Sequence, residues 1–388
     1  TTVRTNSKEI RMSKLHELTN LGQSIWLDYI RRSFLISGDL ENLIKLGVRG
    51  MTSNPTIFEK AINGSTDYDK TMEALINDGY SVEKLYESLT IEDIQKAADL
   101  LYSVYTMSGG DDGYVSLEVN PNLAYETKAT IDEVHRLWSL VKRPNLMIKI
   151  PATEEGLPAI TQAIHSGINV NVTLIFSILR YQEVVEAYLQ GLESRLKNGD
   201  KIDQISSVAS FFVSRLDSKM DQRLTTIIKN NAKRSSLAKS LLGKTAISNA
   251  KLAYQKFKAR FESNRFRELE KYGAKVQRPL WASTSTKNPE YSDILYVQEL
   301  IGQNTVNTLP QGTLEAFLDH GQVILTIEKN LEEANEYFRS LKNLNISIDS
   351  VTAELEKEGV RAFSRSFNNL LDSIARKREA IISQKGHN

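Results

Sequence analysis

Eight short runs with the character of β-strands recur along the chain, each followed by a longer segment with helical periodicity. They fall at 24–30 (SIWLDYI), 47–54 (GVRGMTSN), 113–119 (GYVSLEV), 145–151 (NLMIKIP), 167–176 (GINVNVTLIF), 205–213 (ISSVASFFV), 278–285 (RPLWASTS) and 304–310 (NTVNTLP). Strands that alternate with helices need right-handed crossovers and so build a parallel sheet. Eight of them match the α/β architecture of a closed (β/α)8 TIM barrel. The main rival, an open doubly wound sheet, lacks its usual GxGxxG after the first strand.

Two connections are too long for simple crossovers. Residues 55–112 carry the amphipathic stretch IEDIQKAADLLYSVY, and residues 216–277 form a charged helical insert whose charge runs are expected to be solvated helix faces. A last helical region, about 332–383, is expected to pack on the outside of the barrel. No internal repeat or low-complexity linker divides the chain, so 1–388 is expected to be one elaborated domain.

Composition removes several chemistries. Lys plus Arg number 49 against 48 Asp plus Glu, so no global field recommends nucleic acid or an anionic membrane as partner. The absence of cysteine excludes disulfides, thiolate nucleophiles and cysteine metal sites. His16, His135, His165, His320 and His387 are far apart, with no HxH or HExxH spacing, so neither a catalytic metal nor another cofactor is expected. The GKT at 243–245 fails as a phosphate loop, because the first glycine of that pattern would fall at Ala238, and it is expected to be surface. No run of about 18 apolar residues is present, and the N-terminal TTVRTNSKEIRMSKLHEL has no apolar core of a signal peptide. The expected location is the cytoplasm, or an organelle interior if a targeting segment has been removed ahead of Thr1. In such a chain the triplets NGS, NVT and NIS carry no glycosylation meaning.

One cation stands out in the fourth run, where Lys149 lies between Ile148 and Ile150. A strand lysine commonly points to water or snorkels its head past the apolar surface. Side chains alternate faces along a strand, and this sorts Leu146, Ile148 and Ile150 away from Lys149. The same sorting sets Asn171 and Thr173 apart from Val170, Val172 and Leu174, and Ser116 and Glu118 apart from Leu117 and Val119. It separates Trp26 and Asp28 from Ile25 and Leu27, and Trp281, Ser283 and Ser285 from Leu280 and Ala282. Asp28, Glu118, Lys149, Asn171, Thr173 and Ser283 all fall in the later half of their runs, the end that forms the active face of such a barrel. Asn54 and Ser210 join them with weaker parity support. Each has a plainer alternative: Asp28 could cap a helix, Glu118 could pair with a surface lysine, and Asn171 and Thr173 could satisfy buried backbone groups.

At this point GVRGMTSNPTIFEKAI, NLMIKIPATEEGLPAI, INVNVTLIFS and WASTSTKN strongly resemble the transaldolase family, over about residues 20–325, in its longer bacterial and plant-type branch. The resemblance implies that Lys149 is the Schiff-base lysine, Asp28 the base acting on the C4 hydroxyl, and Glu118 with Thr173 a proton relay through a water. It implies that Asn54 and Asn171 hold donor hydroxyls and that Ser210 orients the substrate. Arg215 resembles the phosphate anchor, and Ser283 a second phosphate contact. The better-known short branch has an arginine two residues after that serine. This chain has Ser285 there, and Lys287 is the nearest cation to replace it. The implied reaction takes sedoheptulose 7-phosphate and glyceraldehyde 3-phosphate to erythrose 4-phosphate and fructose 6-phosphate, reversibly, in the non-oxidative pentose phosphate pathway. Sugar phosphates are the expected partners, with the chain a monomer or homodimer. A class I aldolase releasing free dihydroxyacetone, or a non-catalytic sugar-phosphate-binding barrel, stays open at this level.

Overall fold

The computed structural model describes residues 12–385, so His387 and the first eleven residues of the polar N-terminal stretch lie outside the described residues. All eight expected strands form: β1 (Gln23–Asp28), β2 (Val48–Thr52), β3 (Val115–Glu118), β4 (Leu146–Pro151), β5 (Val170–Ile175), β6 (Ser207–Phe212), β7 (Arg278–Ala282) and β8 (Thr305–Leu309). Each pairs in parallel with the next, and β8 closes on β1. The runs are short, rich in Val, Ile and Thr, and followed by amphipathic helices. Every residue of β3, β4, β5, β6 and β8 is accordingly buried, against helices on one face and against the opposite strands on the other.

In a parallel ladder paired residues share a face, so register decides what looks inward. Glu118 pairs with Lys149, and Lys149 with Asn171, which sets three polar side chains side by side inside the barrel. Deeper down, Trp26 lies flat on Gly50, where an added Cβ would come 2.7 Å from the indole ring. Only glycine admits the tryptophan at that level.

Register also corrects the reading of β7. Leu280 pairs with Ser210, and Ala282 with Phe212; Ala282, Phe212 and Ser210 line the cavity described below. Leu280 and Ala282 therefore face the interior, and Trp281 faces the helices, edge-on to Phe211, which meets Tyr181 of the helix Ile178–Lys197. Ser283 still reaches the cavity, but it does so past the strand end through a left-handed backbone (φ 56°). A second left-handed residue, Leu174 (φ 60°), sits where the β5–β6 register shifts, so strict alternation ends at Thr173.

The long connections are helical. The first holds Pro55–Asn63, Asp69–Asn77 and Val82–Met107; the second holds Ser214–Asn230, Ala232–Ser240, Thr245–Phe261 and Asn264–Glu270. Within the second, the expectation of solvated faces holds only in part, because Thr245–Phe261 buries Ala246, Ala250, Ala253, Tyr254 and Phe257. The GKT stretch is not plain surface either. Gly243 is left-handed (φ 69°) and donates its N–H to Asp221, while Thr245 is fully buried and hydrogen-bonds the Tyr337 hydroxyl.

The C-terminal region divides. The helix Leu331–Asn343 packs on Thr245–Phe261 in the outer layer, as expected. The final helix, Ile348–Lys385, instead crosses the C-terminal mouth of the barrel. It packs along Pro55–Asn63, touches β5, and bonds Thr56 through Ser366 (2.9 Å) and Asn122 through Asn368 (3.1 Å). Ion pairs of Glu354 and Glu358 with Lys219, of Glu354 with Arg223, and of Lys377 with Asp69 tie its flanks down. Its apolar face covers the mouth because Gly359 leaves room for Leu174: a Cβ there would come 2.9 Å from Leu174 Cδ2.

Candidate active site

At the C-terminal ends of the strands, beneath that helix, lies a cavity of about 360 Å³. Asp28, Asn54, Lys149, Ser210, Arg215, Ser283 and Lys287 line it together. Glu118, Asn171 and Thr173 stand beside this floor, on β3 and β5, so the ten residues singled out in the sequence converge on one mouth.

Lys149 sits at the bottom, buried, with Nζ 3.6 Å from Glu118 Oε2 and donating to the Ser53 carbonyl at 3.3 Å. Burial pushes the Glu118 carboxyl up to about 7, against the opposing pull of Lys149. Glu118 Oε2 and Thr173 Oγ1 are both buried without a hydrogen-bond partner among the described residues. Asn171 is held between two hydroxyls: its amide donates to Ser116 Oγ (2.9 Å) and its oxygen accepts from Ser210 Oγ (2.6 Å). The alternatives of a surface lysine for Glu118 and of backbone duty for Asn171 are therefore not what these groups do.

Asp28 closes another side. Its Oδ1 accepts from Thr52 Oγ1 at 2.7 Å, and Thr52 in turn lies 2.6 Å from Thr308 Oγ1. The next helix, Arg32–Ile36, has Arg31 at its N-cap position and no side-chain cap, so helix capping is not the role of Asp28. Desolvation raises its carboxyl above the usual range, moderated first by Lys149 and then by the Thr52 bond. Asn54 is not a strand residue but the N-cap of Pro55–Asn63; its oxygen accepts from the Ile57 N–H, which leaves the amide hydrogens for the cavity.

The rim is cationic. Arg215 stands in the first turn of Ser214–Asn230, between the rings of Phe212 (5.2 Å) and Phe363 (5.8 Å). Ser214 ties this turn to Ser283 twice: its N–H donates to the Ser283 carbonyl, and the two hydroxyls lie 3.0 Å apart. Lys287 donates to Ser285 Oγ at 2.7 Å. Lys60, on the exposed side of the mouth, is a third cation that the sequence reading missed. It lies one helical turn beyond Thr56 in the helix that Asn54 caps, a spacing that could have marked it. Burial, then Arg215, then Lys60 lower the Lys287 ammonium from its usual value. Among the described residues none of the three cations has a carboxylate within ion-pair distance. Phe363 was missed as well, and nothing in its local pattern announces that its helix returns to the mouth.

A buried lysine beside a carboxylate, beneath a rim of cations at the C-terminal mouth of a (β/α)8 barrel, marks an enzyme whose chemistry centres on a lysine amine and whose substrates carry negative charge. The chain belongs to the transaldolase/fructose-6-phosphate aldolase family, whose sequence pattern matches residues 25–374. The match runs well past the stretch in which the resemblance was read, to within the helix over the mouth. The chain is 49% identical to a protein named transaldolase from Trichodesmium erythraeum, covering 94% of this chain and 97% of the relative. It is 48% identical to transaldolase 2 of a Nostoc species, at 94% and 97% coverage. It is also 48% identical to the transaldolase of Thermobifida fusca, at 94% and 98%.

Proposed function

We infer that the chain moves a dihydroxyacetone unit from a ketose phosphate to an aldose phosphate through a Schiff base on Lys149. The observation that carries this reading is the Lys149 amine, 3.6 Å from a carboxylate that titrates near neutrality, at the bottom of a mouth rimmed by unpaired cations. Arg215, with Ser283 and Lys287 beside it, receives the phosphate, a dianion suited to a guanidinium fork. Anchored there, sedoheptulose 7-phosphate or fructose 6-phosphate reaches down with its C2 carbonyl to Lys149.

The amine adds to C2, and the carbinolamine loses water to give an iminium. Glu118 hands the required proton across a water shared with Thr173, which would satisfy both partnerless oxygens. Asn54, Asn171 and Ser210 hold the donor hydroxyls. Asp28 then takes the proton of the C4 hydroxyl, the C3–C4 bond breaks into the iminium, and the aldose phosphate departs. The remaining enamine attacks glyceraldehyde 3-phosphate or erythrose 4-phosphate, and the steps reverse. No metal is needed, because the iminium is the electron sink.

We also read 1–388 as one domain, since the last helix roofs the site that the first strand helps to build. The chain is taken to act as a monomer or homodimer in the cytoplasm, with sugar phosphates and not nucleic acid as its partners; its near-zero net charge supports the latter. In the test, borohydride reduction with fructose 6-phosphate leaves a stable adduct on the peptide carrying Lys149. A folded protein with no adduct, or with one on another lysine, overturns the assignment. Steady turnover without an acceptor aldehyde would favour the aldolase reading.

A further inference from the structure

Phe363 is buried in the roof helix, far along the chain from β6, yet it lines the same cavity as Ser210 and Phe212 and faces Lys149. Its ring centroid lies 5.9 Å from Lys149 Nζ and 5.8 Å from Arg215 Cζ. The ring thus spans the two groups assigned to opposite ends of the substrate. Its helix is fixed on both flanks by ion pairs and seated on Leu174 through Gly359. A phenyl ring has no group to donate or accept a proton, so its contribution there is to occupy space and exclude water.

We propose that Phe363 is a specificity-determining residue that shields the three-carbon enamine from water, and so sets how the intermediate divides between transfer and release. This rests on the Schiff-base reading above. The competing release is balanced as follows: the enamine carbon takes a proton to regenerate the iminium, water adds to C2, and the C2–N bond breaks. Free dihydroxyacetone leaves and the Lys149 amine is restored, with one water consumed. Transfer also needs water at C2 to free its product, so the step that separates the two outcomes is protonation of the enamine carbon. An apolar ring over the enamine keeps a proton-donating water from that carbon, whereas an aldose phosphate brought in by the rim cations delivers its own electrophile.

The test compares Phe363→Ala, Phe363→Val and Phe363→Leu with the unaltered chain, using fructose 6-phosphate with and without erythrose 4-phosphate. The ratio of dihydroxyacetone release to transfer should rise about tenfold in the alanine variant, a change of the size expected from opening one apolar contact. It should rise less in valine and least in leucine. Borohydride adducts on Lys149 in every variant keep the two readings apart: no adduct in the unaltered chain defeats the Schiff base, not the role of Phe363. If adducts form but the ratio is unchanged across the series, or if only the KM for sugar phosphate moves, the proposal is overturned. Should the alanine variant fail to fold, the valine and leucine pair decides by the same ratio.

Discussion

Asp217 offers a quantitative test of how this barrel holds the helix that carries Arg215. It lies two residues after Arg215, is 1% exposed, and accepts hydrogen bonds from the Ala246 N–H (2.7 Å) and the Tyr296 hydroxyl (2.8 Å). One turn on, Asp221 accepts from the Gly243 N–H (2.9 Å) and the Tyr291 hydroxyl (2.8 Å). Burial outweighs those donors and pushes the Asp217 carboxyl from its ordinary 3.8 up to about 7, with Asp221 adding to the rise. A carboxyl raised in the folded state binds its proton more tightly there than in the unfolded chain. Stability from this group is therefore fully present below about 3.8, and is lost as pH rises towards about 7. At about 1.36 kcal/mol for each pH unit, the loss is capped at roughly 4 kcal/mol. Asp217→Asn keeps an acceptor for Ala246 and cannot ionise, so its stability should not fall over that range on this account. Urea unfolding of both proteins from pH 5 to 8 reads the difference directly. Glu118 shares the same direction but is present in both, so it cancels. Between pH 5 and about 7 the gap should move in favour of the asparagine variant by up to roughly 3 kcal/mol. Parallel stability curves would refute the desolvation reasoning.

Two further outcomes test the site itself. Glu118→Gln should lower turnover by roughly a hundredfold to a thousandfold, the usual worth of a positioned acid and base, and should remove a bend near pH 7 from the turnover profile. Steady-state kinetics across pH 5.5 to 8.5, roughly the span over which such a group titrates, checks both. Lys287→Ala should raise the KM for sugar phosphate about tenfold with turnover nearly unchanged, and Lys60→Ala should raise it less, because its head is nearer water. An unchanged KM in Lys287→Ala would remove it from the phosphate site.

Most of this was legible because barrel strands carry two separable signals. Composition located all eight strands, and parity put Asp28, Glu118, Lys149, Asn171 and Thr173 on the interior face of theirs. The failure at β7 has a physical cause. A filled barrel buries both faces of each strand, so Trp281 satisfies the outer face as well as the inner, and hydrophobicity alone does not orient the ladder. Ser283 reached the predicted place by a different route, a left-handed turn that strand parity does not describe. The roof helix was misplaced because its apolar stripe says only that one face is covered, not by what. That the covering surface includes β5 and Pro55–Asn63 is fixed by contacts far away in the chain, as in the Thr56–Ser366 bond, with a separation of 310. The GKT stretch misled in the opposite direction: lysine-rich sequence suggested solvent, while the glycine donates to Asp221 of the neighbouring helix and the threonine is buried against the Tyr337 hydroxyl.

The vertical order of charge in the mouth explains why the proposed chemistry is a transfer. Carboxylates and the Lys149 amine lie at depth, with Glu118 and Lys149 both buried, while Arg215, Lys287 and Lys60 occupy the rim with no carboxylate partner among the described residues. A sugar phosphate can enter in only one favourable sense, with its dianion at the rim and its carbonyl end pointing down. A ketose so held places C2 at Lys149. A shorter aldose held by the same rim cannot put a ketone on the amine, but it does bring its aldehyde towards whatever Lys149 already carries. On the proposed reading, donor and acceptor use one phosphate clamp in succession, and the departing aldose must vacate it before the next arrives. On this geometry the two substrates compete for the rim, so excess erythrose 4-phosphate should inhibit competitively against fructose 6-phosphate while remaining the acceptor. That pattern, parallel lines turning to competitive inhibition at high acceptor, separates a shared clamp from two independent phosphate sites, for which no such inhibition would be seen.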